Sequence, residues 1–421
     1  MKIPNDVLFI MNTLAEAGYE AYAVGGCVRD SLLSREPKDW DITTNALPDA
    51  VKALFRRTVD TGIEHGTVTV MRGKTGYEVT TYRLDGAYSD GRHPDSVTFT
   101  PELREDLRRR DFTINAMACA ADGTLVDLFG GQEDLEKRVV HCVGDPDERF
   151  TEDALRILRA VRFSAQLDFA IEPETWEALR RHAPNLVHVS RERILAELTK
   201  TLLSEHPERL SELGPAGILP WLPERFSECR ADRRAADLPE ERSVRWAGVF
   251  AESAPETVRE LLKELKSDRD TMDRAALLTR EVKKPLPQTA AEVRILLSEI
   301  GPERFADLLR LKKAGYGLNA DTGAAIGGGN PENTAAERTR AEENTAERIR
   351  RAEDLAAEIL SRGDCISLKQ LALTGRDLIA LGVKPGPELG QKLAFLFRKV
   401  LEQPELNDTE ILKRLLAEGV H

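Results

Sequence analysis

The chain has 421 residues, 41% of them apolar and 31% charged, with a formal net charge of −12. That length predicts roughly three domains, and the charge argues against a surface that binds nucleic acid throughout, although a local basic patch still can. No stretch approaches 18 apolar residues, so no membrane span is expected. Cysteines 27, 119, 142, 229 and 365 are scattered without a CxxC, which predicts reduced thiols in a cytoplasmic protein rather than a disulfide framework.

Taken in chain order, "NDVLFIMNTLAEAG" reads as a helix stopped by Gly18. An apolar run this short predicts no signal peptide. Short β-type runs follow in "YAVGG", "WDITT", "GTVTVMR", "YEVTTYR" and "SVTFT". From about residue 148 the β signal fades. "TEDALRILRAVRFSAQL" predicts a helix with Thr151 at its N-cap, and helical spacing continues in "SRERILAELTKTLL", "ERSVRWAGVFAE" and "ETVRELLKELK". Residues 317–333 read as a turn-rich linker, followed by a charged helix and then a C-terminal stretch of helices broken by Gly and Pro. The expected fold class is α+β, a small mixed sheet with helices followed by an all-helical remainder.

Asp39 and Asp41 stand two apart in "KDWDITT". On a strand they project to one side, where two carboxylates repel unless a cation intervenes. Mg²⁺ suits such a pair, because it takes one or two carboxylates and completes its shell with water and phosphates. Taken alone, a DxD is more often an exposed pair or a cap. Gly25 and Gly26, followed by "CVRDSLL", add backbone that a phosphate can approach and a helix start, and Arg29 adds a cation. Further on, Arg104, Arg108, Arg109 and Arg110 form a basic cluster ending in "DFT". Asp153, Arg156, Arg159 and Arg162 recur at three-residue spacing. On spacing alone that stripe reads first as an intrahelical ion pair with solvated arginines. The alternative is chemical. Cytosine and adenine both offer an amine beside a ring-nitrogen acceptor, so a carboxylate and a guanidinium can accept and donate to either, whereas guanine and uracil mismatch both.

"GGCVRDSLLSREPKDWDITTNALP" resembles the signature of class II tRNA nucleotidyltransferases and bacterial poly(A) polymerases, within the DNA polymerase β-like superfamily. The resemblance is strong over residues 20–200 and looser at the C-terminus. It implies a polymerase β-like catalytic head at 1–140, a nucleotide-selecting helical neck at 141–200, a helical body at 201–320 and a tRNA-binding helical tail at 321–421. It also implies that Asp39 and Asp41 hold Mg²⁺ for a two-metal transfer, with a third carboxylate on a neighbouring strand. Glu78 in "YEVTTYR" is the candidate for that role, and a solvent-facing strand acid is the other reading of it.

"RRDFTINA" is similar to the family's arginine motif, placing Arg110 on the nucleotide with Asp111 and Asn115 orienting the loop or the phosphates. "EDALR" resembles the base-selecting "EDxxR", with Asp153 and Arg156 reading the base and Arg159 and Arg162 supporting the triphosphate or the base pocket. "TGIEHGTVTV" and "DGAYSDGRHPDSVTFT" look like CCA-adding enzymes rather than poly(A) polymerases, and the second contains the flexible loop that CC-only enzymes lack. His93 stands where the family pattern has a second arginine. The C-terminal "TGRDLIALGVKPGPELGQKLAFLFRKVL" resembles the tail that grips the tRNA elbow, where Gly382, Gly386 and Gly390 either approach RNA backbone or simply stop helices.

The expected activity is therefore template-independent addition and repair of the tRNA 3′-terminal CCA from CTP and ATP with pyrophosphate release. The partners expected are tRNA, CTP and ATP, with no membrane and no stable protein partner, the chain being a monomer or homodimer. A poly(A) polymerase, a CC-only enzyme and a non-catalytic RNA-binding protein are the rivals.

Overall fold

The computed structural model describes residues 1–86, 97–317 and 335–418. The chain divides into two compact units, Met1–Ala236 with Leu261–Ser267, and Asp237–Glu260 with Asp268–His421.

The first unit opens with helix α1 (Asn5–Glu16), which buries Val7, Ile10, Met11 and Leu14 on one face. It ends where Gly18 adopts φ +88°, a conformation nearly free for glycine and costly for other residues. Strand β1 (Ala21–Val24) leads into α2 (Gly26–Leu32), then β2 (Asp41–Thr44), α3 (Pro48–Leu54), β3 (Thr58–Gly62), β4 (Thr67–Arg72) and β5 (Thr75–Thr81). A two-stranded ribbon, β6 (Arg83–Asp85) with β7 (Val97–Phe99), is followed by α4 (Leu103–Arg108), a single 3₁₀ turn at Thr113–Asn115, β8 (Met117–Cys119) and β9 (Leu125–Asp127). His93 lies outside the described residues.

Seven strands form one mixed sheet in the order β3-β4-β5-β2-β1-β8-β9. The central strands are β-branched and buried: Ile42, Thr43 and Thr44 on β2, Val79 on β5, and Val68 and Val70 on β4. Such residues fit a pleated, covered surface. β2 runs antiparallel to β1 and parallel to β5, with Ile42 opposite Val79 and Thr44 opposite Thr81. The interior position of β2 matters for function, because both neighbours brace the strand that carries Asp41.

Beyond the sheet come α5 (Gly131–Lys137), a short strand β10 (Val139–Val140), α6 (Pro146–Glu152), α7 (Leu155–Leu167), β11 (Ala170–Ile171), α8 (Pro173–His182) and α9 (Arg191–Leu202). One expectation fails here. The stretch beginning at Thr151 is two helices, and Thr151 lies inside α6, its hydroxyl donating to the Asp147 carbonyl at 2.7 Å. The chain breaks at Asp153, which is extended at φ −141°, ψ 102°. Asp153 accepts the Leu155 amide at 3.0 Å. A short carboxylate that satisfies a free amide at a helix start favours the break over a continuous helix. The caps of α6 are instead Asp145, which accepts the Asp147 amide, and Pro146 in the first turn.

The second unit is helical throughout its described residues. Helices α10 (Arg242–Val249), α11 (Pro255–Glu264, shared with the first unit), α12 (Arg269–Glu281), α13 (Ala290–Ile300) and α14 (Pro302–Lys313) precede the long helix Ala335–Arg362. Their core gathers Val244, Leu278, Val282, Val293, Leu297, Phe305 and Ile359. A separate core of Leu371, Leu373, Leu378, Leu396, Val400 and Leu412 holds the C-terminal helices Gly375–Ala380, Pro387–Glu402 and Thr409–Glu418 together. Arg294 joins the two cores. It is buried, donates to the Leu401 and Glu402 carbonyls at 2.7 and 3.1 Å, and pairs with Asp364 at 3.2 Å. A cation on otherwise unsatisfied C-terminal carbonyls is favourable at a helix end.

Candidate active site

Trp40 is buried while Asp39 and Asp41 on either side of it are exposed, so the period-two alternation begins two residues before the formal start of β2. Alternation is why a buried Trp between them sends both carboxylates the other way. The β2–β5 register, continued one step back from Ile42 opposite Val79, sets Asp41 level with Glu78. The electrostatics agree with that placement. The Asp41 carboxyl is raised above the usual carboxylate range, first by the protein atoms that crowd water from it and then by the negative charges of Glu78 and Asp39, while Arg110 opposes the rise. Asp41 therefore lies within the fields of both Asp39 and Glu78.

Among the described residues, no group of three or more His, Cys, Asp or Glu is arranged to hold a metal ion by itself. An ion that keeps much of its shell for water and phosphate oxygens needs fewer protein ligands. An under-compensated carboxylate with two acidic neighbours is chemically suited to such a cation.

Arg110 faces this cluster. A Cβ added to Gly25, which sits at φ +82°, would meet the Arg110 Nη1 at 3.0 Å. Glycine at this position thus gives the backbone its left-handed turn and leaves room for the guanidinium. The Gly25 amide itself is spent on the Met117 carbonyl at 3.2 Å. The expectation that this amide is bare and available to a phosphate is corrected by that bond, because β1 pairs with β8 right up to the turn. Arg110 makes one long contact, 3.4 Å, to Asp106, and its buried Nε has no hydrogen-bond partner. Among the described residues it is therefore loosely held.

The other arginines are tightly engaged. Arg29 donates to Asn115 at 2.6 Å and pairs with Asp30 at 2.7 Å. Asn115 passes the connection on to Asp111 at 3.1 Å. Asp111, buried, accepts the Phe112 amide and takes Arg159 through both Nε and Nη2 at 2.8 and 2.5 Å. Burial alone would raise its carboxyl, but the Arg159 charge and the Asn115 hydrogen bond outweigh that and hold it well below the usual range. Arg162 pairs with Glu197 at 2.6 Å. Burial, opposed by Glu197 but aided by repulsion from Arg159 and Arg29, brings the Arg162 guanidinium down to about 10. Arg29, Arg159 and Arg162 all lie over the ring of Phe163, at 5.1, 5.4 and 4.1 Å from its centroid. A ring face stabilises nearby cations, which helps three arginines share a small volume.

Asp153 and Arg156 do not form the stripe that spacing predicts. Asp153 sits in the break and pairs with Arg193 of α9 at 2.7 Å. Arg156 is buried, pairs with Glu152 at 2.6 Å, and donates to the Arg109 and Arg149 carbonyls at 2.9 and 3.2 Å. The intrahelical Asp153–Arg156 pair is absent because only one of the two residues is on the helix. Of the "LREDLRRR" cluster, Arg104 and Arg108 are exposed, and Arg109 turns onto Asp106 at 2.6 Å. The basic patch is therefore partly neutralised at its base.

Asp106, Glu152, Glu197, Arg193 and Phe163 were not singled out from the sequence. Asp106 is wholly buried, accepting from Thr43 on β2 at 3.0 Å as well as from the two arginines. Its spacing of three and four residues from Arg109 and Arg110 is a legible helical pairing, whereas Glu152 reaches Arg156 across the break between α6 and α7. The contacts of Arg193 and Glu197 cross between helices and leave no local signal. In the second unit, Gly382 and Gly386 take φ +94° and +143° at the ends of helices, Gly390 lies within one, and nothing approaches within 4 Å of the Cβ position at any of the three.

Sheet, paired carboxylates and arginine cluster together define a polymerase-type nucleotidyltransferase head. A family model for the poly A polymerase head domain matches residues 21–141, one for a probable RNA and SrmB-binding site of polymerase A matches 168–227, and one for tRNA nucleotidyltransferase domain 2 matches 334–416. A CCA-adding enzyme of Levilactobacillus brevis is 39% identical over 93% of this chain and 92% of its own length. One from Geobacillus thermodenitrificans is 42% identical over 75% and 80%. The crystal structure of Bacillus stearothermophilus CCA-adding enzyme in complex with CTP superposes with a TM-score of 0.79 at 33% identity, covering 99% of this chain and 98% of that one. The chain belongs to the family of CCA-adding enzymes, and it is an enzyme. Nucleotidyltransferases with this type of head generally depend on a metal ion. No helix among the described residues is long and apolar enough to cross a membrane.

Proposed function

We propose that this enzyme adds and repairs the 3′-terminal CCA of tRNA from CTP and ATP, releasing pyrophosphate, in the cytoplasm. The observation that carries the reading is the placement of Asp41 among Asp39, Glu78 and Arg110: a carboxylate group short of positive charge beside a loosely held guanidinium. Asp39 and Asp41, with Glu78 beside them, are the ligands for Mg²⁺ in a two-metal transfer. Mg²⁺, when bound, acidifies the attacking 3′-hydroxyl and neutralises the triphosphate. Arg110 takes phosphate oxygens. Arg29 and Arg159, held by Asn115 and Asp111, and Arg162 place further positive charge around Phe163, where it attracts a triphosphate without reorganising on binding. Gly25 and Gly26 leave the space this needs.

Asp153 and Arg156 read the base, at the junction of α6 and α7. Each already has protein partners, and a carboxylate oxygen retains a second lone pair for an amine. The domain plan proposed is a catalytic head at 1–140, a neck at 141–200, a body at 201–320 and a tail at 321–421. The tail's open glycines suit the approach of RNA backbone. Proteins of similar fold include a CCA-adding enzyme in complex with ATP and a Thermotoga maritima CCA-adding enzyme complexed with tRNA, in keeping with this choice of partners. Five cysteines, all free, suit a reducing compartment.

The test is incorporation of labelled CTP and ATP, with Mg²⁺, onto a tRNA transcript ending at the discriminator base, with products sized to one nucleotide. Addition of C, C and A, abolished by Asp39→Ala, is expected. Growth by A alone would make the enzyme a poly(A) polymerase, arrest after CC a CC-only enzyme, and no incorporation a binding protein.

A further inference from the structure

The geometry points to Arg193 as a positioning residue that sets nucleotide selectivity by aiming Asp153. This rests on the reading above, in which Asp153 meets the base.

Asp153 has lost the support of a helix. In the extended break between α6 and α7, its side chain is oriented by what its two oxygens bind. One accepts the Leu155 amide at 3.0 Å and the other takes Arg193 Nη2 at 2.7 Å. The amide belongs to the same chain turn and moves with Asp153. Arg193 comes from α9, so it alone of the two ties the carboxylate to a fixed frame. α7 and α9 pack side by side, and one turn after Arg193 on α9, Glu197 takes Arg162 of α7 at 2.6 Å. The two ion pairs have opposite polarity: carboxylate to arginine at the start of α7, arginine to carboxylate near its end. A slip of α9 by one residue would carry Ala196 or Leu198 into the place of Glu197 and leave Arg162 unpaired, so the two ion pairs favour one register of α9 against α7.

A carboxylate selects cytosine and adenine only if a free lone pair faces the exocyclic amine. Release from Arg193 would let the side chain rotate about its χ angles and lose that aim. Among the described residues, the buried Nη1 of Arg193 has no hydrogen-bond partner. One half of its planar fork is spent on Asp153 and the other is uncommitted beside the base-reading group. A guanidinium offers this two-sided geometry; a lysine ammonium is a point charge and does not.

The experiment measures single-nucleotide incorporation of CTP, ATP, UTP and GTP by the full chain and by Arg193→Ala, Arg193→Gln and Arg193→Lys, alone and combined with Asp153→Ala. Loss of Arg193 is expected to lower the preference for CTP over UTP, and for ATP over GTP, by about tenfold or more. The change should come chiefly through KM, and Lys should recover part of it. With Asp153 already replaced, removing Arg193 should change the preference no further. Equal loss for all four nucleotides, or an undiminished effect without Asp153, would show that Arg193 merely supports the fold and would overturn the proposal. If Arg193→Ala fails to fold, the Gln and Lys variants carry the same comparison. An unchanged preference in Asp153→Ala would sink both the base-reading role and this one, whereas a wild-type chain inert with every nucleotide would sink the functional reading itself.

Discussion

The two ends of the candidate site are built on opposite electrostatic plans. At the β2–β5 end, Asp41 stands beside Asp39 and Glu78, and its carboxyl is raised by the protein atoms that crowd water from it and by its acidic neighbours. At the arginine end, Arg29, Asn115, Asp111 and Arg159 are bonded into one chain, Arg162 is paired with Glu197, and the Asp111 carboxyl is held low. The first end is short of positive charge and the second is already paired within the protein. Under the proposed function, the first end receives the ion and the second holds the nucleotide against a fixed frame. The expected consequence is a division of labour: substitutions at the carboxylate end cost activity, and those at the arginine end cost stability as well.

The largest effect should come from Asp41→Ala, which is expected to lower kcat by about a thousandfold or more, the scale of losing several kcal/mol of metal-assisted charge stabilisation. Thermal unfolding without metal should show no loss of stability, and Asp41→Asn should raise Tm, because the repulsion is gone. A fall in Tm for Asp41→Asn would break the comparison. Next, Asp111→Asn leaves the half-buried Arg159 without its counter-charge and is expected to cost about 1.5–3 kcal/mol by denaturant unfolding. Its sign with pH follows from the lowered carboxyl. Asp111 contributes stability fully above the ordinary carboxylate range, and that contribution is lost as pH falls toward its depressed folded value. Acid unfolding of the Asn variant should therefore be shallower than that of the wild type.

Arg110→Ala removes the loosely tethered guanidinium. It should lower kcat by about 10²–10³, as losing one preorganised donor does, with a smaller change in Tm than Asp111→Asn. The smallest expected effect is on the pH dependence of metal stabilisation. Because the Asp41 carboxyl is raised, folded protein holds that proton more tightly than unfolded protein, so its metal-free stability declines as pH rises from the ordinary carboxylate range through the raised value. Mg²⁺ should reverse that decline by binding the ionised form. The Mg²⁺-induced rise in Tm should accordingly grow with pH and be absent in Asp41→Asn.

Much of this was legible in the chain itself. The period-two placement of Asp39 and Asp41 around Trp40, the glycine pair before α2, the arginine cluster before Asp111 and the change from strand to helix near residue 148 are local patterns. Local patterns survive in one dimension because they depend on backbone periodicity alone. The helix through Asp153 was misread for a related reason. Its apolar spacing is helical on both sides, and spacing does not register a single residue whose side chain bonds the amide two positions on.

What the amino-acid order determined by itself was the type of each element, the identity of the acidic pair and the resemblance that those motifs carry. Tertiary structure alone decided which charges are spent and which are left open. Arg156 and Arg110 look alike in the sequence, yet one is saturated by Glu152 and two carbonyls while the other has a single long contact. The sequence names Asp153 and Asp111 but not their partners, until α9 brings Arg193 to the first and α7 brings Arg159 to the second. The physical reason is range. Propensity and periodicity act over a few residues, whereas an ion pair depends on the position of a group that can lie 40 or more residues away in the chain, as it does in both of these pairs.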